Sequence, residues 1–197
     1  MNRSGDTVYQ LHLHLLGIEP QVWRRIVVPG SVSLWKLHRI FQVTMGWHFS
    51  HLHQFIVGDY YQGIHYGEPD PEDEDEMPMQ DHRRALLRKI APRKGSTFLY
   101  EYDFGDSWKH AVTVEQIEPR TPDSIVPWCM EGARACPPED CGGTGGYQHL
   151  LEVLGNRQHS EYRWLREWAD HFEPEVFSVP QVNSALALLI SLDASAR

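Results

Sequence analysis

The 197-residue chain, 41% apolar, suits one globular domain, or a domain with a small helical appendage. No apolar run approaches the ~20 residues of a membrane span, the N-terminal residues lack the apolar centre of a secretory signal, and three cysteines make no disulfide framework, so the expected compartment is the reducing cytoplasm. The formal charge of -9 is concentrated, because residues 68–76 hold seven of the 27 acids and no base; the remaining 20 acids nearly balance 18 Lys and Arg, which leaves no overall basic footprint for nucleic acid.

Residues 8–16 alternate, with Tyr9, Leu11, Leu13 and Leu15 on one face and Val8, Gln10, His12, His14 and Leu16 on the other. That period of two predicts a strand with one buried face. Gly17–Pro20 is a turn, residues 22–28 alternate again, and Pro29–Gly30 stops them, so the pair predicts a hairpin. Ser33 can cap a helix over 34–45, where Leu34, Leu37, Phe41 and Met45 recur at helical spacing and Gly46 ends it. Residues 51–57 return to strand alternation, and 81–90 predict a short helix. Residues 97–104 and 108–117 read as two strands joined at Gly105–Asp106, and helices are expected over 147–154, 161–171 and 180–192. The domain reading is a disordered N-terminus at 1–7 and one α+β domain over 8–197, with an acidic flexible loop at 67–80 and a helical C-terminal part at 147–195. The strand-strand-helix-strand order, then two more strands, predicts an α/β (α+β) fold class: a β-grasp-like mixed sheet with packed helices.

The densest chemistry lies in residues 102–110, where Tyr102, Asp103, Asp106, Trp108 and His110 gather around Gly105. Carboxylates and an imidazole this close could bind a metal or move a proton; equally, Asp103 could accept backbone N–H bonds and pin a hairpin corner. Cys129, Cys136 and Cys141, completed by His110, could hold zinc, although their spacing is not that of a paired zinc knuckle. Glu139 and Asp140 precede a glycine-rich stretch, 142–146, where acids would satisfy the donors of the next helix better than a phosphate would. His51 and His53 share one face of their strand, as do His12 and His14 of theirs, and neighbouring strands could unite the pairs; exposed histidines more often do nothing special.

Tyr9-Gln10-Leu11, residues 20–25 (Pro-Gln-Val-Trp-Arg-Arg), Leu37-His38, Gly46-Trp47, residues 51–55 (His-Leu-His-Gln-Phe), the stretch 100–110 and residues 136–143 (Cys-Pro-Pro-Glu-Asp-Cys-Gly-Gly) form a linked set of motifs across most of the chain. In combination they resemble the plasmid pRiA4b ORF-three-like family, also labelled as insertion-element passenger proteins. The resemblance implies an α/β domain of bacteria and mobile elements, and brings no reaction or catalytic residue. The leading reading is a binding module with a protein partner, its site formed by Tyr102, Asp103, Asp106, Trp108 and His110 with Glu139 and Asp140. One alternative is a metal-assisted hydrolase using Asp103, Asp106, His110 and Glu139. Another is a nucleic-acid-associated accessory protein, which requires a clustered Arg/Lys surface, for example a basic patch of Arg24, Arg25, Lys36 and Arg39.

Overall fold

The computed structural model describes residues 6–69, 79–170 and 172–195. Eight strands, β1 (Thr7–Leu15), β2 (Trp23–Pro29), β3 (His53–Val57), β4 (Ile64–Gly67), β5 (Met79–Asp81), β6 (Thr97–Tyr102), β7 (Trp108–Pro119) and β8 (Trp128–Ala133), form one sheet. Its order is β5-β4-β3-β6-β7-β1-β2-β8, antiparallel except for the β4–β5 pair. Five helices accompany it: α1 (Leu34–Met45), α2 (Leu87–Ile90), α3 (Gly143–Gly155), α4 (Tyr162–Trp168) and α5 (Val179–Ser195). The result is the expected mixed α/β fold with a helical C-terminal part.

The alternation in the sequence becomes the core. Leu11, Leu13 and Leu15 of β1 are buried with Ile26 and Val28 of β2, Val112 and Val114 of β7, and Leu34, Leu37 and Phe41 of α1. Helix α1 forms over the predicted residues: Ser33 Oγ accepts from Lys36 N–H, and Gly46, at φ 100°, donates its N–H to Gln42 O. Arg24 follows the inward face of β2 and is buried. Its guanidinium donates there to Thr44 O at 2.8 Å, Trp23 O at 2.8 Å and Ala133 O at 2.9 Å, and lies 3.9 Å from the Phe177 ring centroid; a buried charge needs such partners.

Several local expectations change. The strand expected from residue 51 begins at His53, which frees His51 to serve a loop. The helix expected over 81–90 is the four-residue α2, preceded by β5. Strands β4 and β8 were not legible as strands. Helix α3 begins at Gly143, four residues before the expected start, because the glycines form its first turn. Helix α4 is shorter than 161–171, and residue 171 lies outside the described residues, as do 1–5 and the acidic centre, 70–78. The described ends of the expected acidic loop are strands β4 and β5. The two histidine pairs do not meet, since β6 and β7 stand between β1 and β3.

The outer strand β8 pairs with β2 on its inner edge, and its outer edge is met by a side chain. Asn183 of α5 accepts the Cys129 N–H at 2.8 Å and donates to the Cys129 carbonyl at 2.9 Å, pairing both backbone groups of one residue. Among the described residues, no helix is long and apolar enough to cross a membrane.

Candidate metal centre

Three loops converge where α1 hands over to β3, where β6 turns into β7, and where the chain approaches α3. The first is stitched to the third: Trp47 Nε1–H donates to Pro137 O at 3.0 Å and His48 N–H to Glu139 Oε1 at 2.8 Å. Tyr102, at the end of β6, joins both, since its hydroxyl accepts from Ser50 N–H at 3.1 Å and donates to Glu139 at 3.0 Å. Burial first, and the Glu139 charge second, push the Tyr102 hydroxyl well above its usual range, so it remains a donor.

The turn between β6 and β7 is built by its own acids. Asp103 sits at φ 60°, and its Oδ1 accepts from Gly105 N–H at 2.9 Å and Asp106 N–H at 3.2 Å, an Asx-type turn. Asp106 Oδ2 accepts from Gly142 N–H at 3.1 Å, clamping the turn to the start of α3. Glu139 and Asp140, expected to satisfy the α3 donors, point elsewhere, and the capping position has no side-chain bond. Asp103 Oδ2 and Asp140 Oδ1 instead face His51. Phe49, Asp103, Ser107 and Asp140 all have positive φ, so the left-handed backbone cost is concentrated around this spot.

His51 Nε2 lies 3.1 Å from Asp140 Oδ1, 3.6 Å from Asp103 Oδ2 and 3.7 Å from Glu139 Oε2. The atom is buried, yet none of these oxygens meets hydrogen-bond geometry with it. An imidazole N–H engaged in an ordinary ion pair would aim at one oxygen. Three oxygens spread around one nitrogen leave room for a shared cation: donors each ~2.1 Å from one ion, ~90–110° apart, lie ~3.0–3.4 Å from one another, a range that the Asp140 distance meets and that the Asp103 and Glu139 distances, at 3.6 and 3.7 Å, slightly exceed. Ligand atoms of His51, Asp103 and Asp140 all fall within 4.8 Å of one another, the sole such group of three or more His, Cys, Asp or Glu among the described residues. The Asp140 side chain is 72% exposed, so one side opens to solvent.

The other candidates separate from this centre. His110 shares the inward face of β7 with Trp108 and is wholly buried, with Nδ1 between Tyr100 O and Trp108 O at 3.2 and 3.1 Å. Burial pulls it down to about 3, so it is neutral at physiological pH. Asp106 serves the backbone clamp. The three cysteines and His110 make no ligand group among the described residues: Cys129 lies on β8, and burial raises its thiol to about 11 and that of Cys141 to about 12. The basic patch does not form either. Arg24 is buried, Arg25 pairs with Glu115 and Glu131, and Lys36 and Arg39 both face Asp193. The residue that the sequence undervalued is His51, whose alternation with His53 suggested a strand face; the structure sends His53 to a different histidine stack.

Comparison with known proteins places the fold in a wider group. Residues 7–181 match the family described as plasmid pRiA4b ORF-3-like protein. The chain is 35% identical over 182 residues to uncharacterized protein y4hQ of Sinorhizobium fredii (strain NBRC 101917 / NGR234), covering 91% of each. It is also similar to the crystal structure of MM3350, a protein of unknown function from Methanosarcina mazei Go1, with a TM-score of 0.78 and 37% identity over 89% of this chain and 97% of that one. With a family match across nearly the whole sequence and a solved relative of the same architecture, the chain belongs to the plasmid pRiA4b ORF-3-like family.

Proposed function

We propose that this chain is a binding module organised by a divalent cation held by His51 Nε2, Asp103 Oδ2 and Asp140 Oδ1. The observation that carries the reading is the buried His51 Nε2, surrounded by carboxylate oxygens and hydrogen-bonded to none of them. One imidazole with carboxylates suits Zn²⁺ or Mn²⁺. Glu139, oriented by Tyr102 and His48, stands behind the centre as a further oxygen donor. The exposed side at Asp140 leaves a position for an incoming oxygen ligand, and Phe49, Leu52 and Phe104 offer exposed apolar surface on the same loops, a combination suited to a protein partner. The open position also supports metal-assisted hydrolysis as a second reading, with a cation-bound water as nucleophile; that version uses Asp103 and Glu139 but neither Asp106 nor His110.

The test is calorimetric titration of chelator-stripped protein with Zn²⁺ and Mn²⁺, beside His51→Ala and Asp140→Asn. One ion per chain is expected, stabilising the fold by about 2.7 kcal/mol when the free ion is a hundredfold above Kd. Both substitutions should abolish that stabilisation, while Asp140→Asn, on an exposed side chain, keeps the apo melting temperature. No binding, or binding equal in wild type and both variants, would overturn the reading.

A further inference from the structure

A cavity of about 700 Å³ opens between α1 and the last turn of α5, lined by Trp35, Phe49 and Leu192 as walls and by Lys36, Arg39 and Asp193 as charged groups. Its remaining lining residue, His38, is held in a defined protonation state by a chain of hydrogen bonds. Phe49 N–H donates to Gln42 Oε1 at 2.9 Å, which fixes the orientation of that amide. Gln42 Nε2–H then donates to the Tyr100 hydroxyl at 3.0 Å, and the hydroxyl lies 2.8 Å from His38 Nδ1. Tyr100 is fully buried and has no other acceptor among the described residues, so its proton goes to Nδ1 and the ring proton of His38 sits on Nε2. His38 is stacked on His53 with centroids 3.4 Å apart and planes within 5°, which locks the ring. Burial keeps it neutral, pulling it down to about 3. The Nε2–H is thus a fixed donor with no acceptor among the described residues.

We propose that this cavity is a binding site for a small aromatic carboxylate, whose oxygens take the His38 Nε2–H and the cations of Lys36 and Arg39, and whose ring packs between Trp35, Phe49 and Leu192. Asp193 already shows the required chemistry from within the chain: its carboxylate contacts Arg39 and lies 4.0 Å from the Lys36 ammonium. It stands in for the ligand's charge and would swing away on binding. The His38 N–H calls for an acceptor, which a ligand with an ammonium as its sole polar group does not offer, and the apolar walls disfavour inorganic phosphate or sulfate.

The experiment is calorimetric titration with 2-naphthoate, and with the neutral 2-naphthamide, in the presence of chelator so that the result is independent of the cation centre. The carboxylate should bind and the amide should bind at least about tenfold more weakly. Arg39→Met and Lys36→Met should each weaken 2-naphthoate about tenfold, and Asp193→Asn should tighten it about threefold or more, by removing the internal competitor. Circular dichroism confirms that each variant is folded. Absence of 2-naphthoate binding in both wild type and Asp193→Asn would overturn the proposal, as would equal affinity for acid and amide, or affinity unmoved by Arg39→Met in a folded protein.

Discussion

Acid should unfold this protein through its histidines before its carboxylates titrate. Burial is the main cause that holds His38 down to about 3, His53 to about 2 and His110 to about 3. His53 is further opposed by His38 and His82 on either side, its Nε2 lying 3.1 Å from His82 Nδ1. Arg39, next to His38 on α1, opposes its charging, and Arg24 does the same for His110. In the unfolded chain each ring takes up a proton near pH 6.5. The folded values are depressed, so between those limits the unfolded state binds more protons and stability falls as pH falls. At pH 5 each ring contributes a loss of about 2 kcal/mol relative to pH 8, or about 6 kcal/mol for the three. That is comparable to the whole stability of a typical domain, ~5–15 kcal/mol. Urea unfolding followed by tryptophan fluorescence should show a plateau above pH 7.5 and a slope near 4 kcal/mol per pH unit between pH 6 and 5, the signature of about three protons. Glu115, drawn below its ordinary range by its hydrogen bonds with Arg25, adds to the loss only at lower pH. His53→Phe should remove about one proton from the slope. A slope of less than about one proton would show that the rings charge freely in the folded chain and would refute the argument.

Asn183→Ala removes the two hydrogen bonds to Cys129 and leaves a buried N–H and C=O unpaired; the expected loss is about 2–4 kcal/mol, read as a lower urea midpoint, with Gln181→Ala as the neutral control. Gly146→Ala places a Cβ 1.8 Å from Cys141 O, in the turn that carries Asp140. It should destabilise by about 1–3 kcal/mol and weaken cation binding beyond what the stability loss explains, measured by the same calorimetry as the wild type.

Periodicity made the central part of the fold legible. The buried leucines of β1, the paired strand β2 and the doubly capped α1 are short-range patterns, and the chain obeys them because the same residues face one core. Strand β8 was hidden because, across Trp128–Ala133, only Cys129 is buried; its place is set by Asn183, 54 residues away. The start of α3 was hidden because a run of glycines reads as loop, whereas Gly143 and Gly146 are needed where backbone passes close to Asp106 and Cys141. For the candidate site, the turn role of Asp103 could be read from its neighbours. Its company could not: His51 and Asp140 arrive from segments 52 residues before and 37 after it, and which of twelve histidines meets the acids is a tertiary fact.

The Asn183 amide has a consequence for association. An outer strand ordinarily offers a ladder that a foreign peptide can extend, by augmentation or by exchange between copies. Here an amide group copies the donor-acceptor pair of a neighbouring strand and occupies the ladder at Cys129. A newcomer must first evict α5, so recruitment at this edge is coupled to undocking of the C-terminal helix, and partners that leave the helix in place must approach through loops and side-chain surfaces.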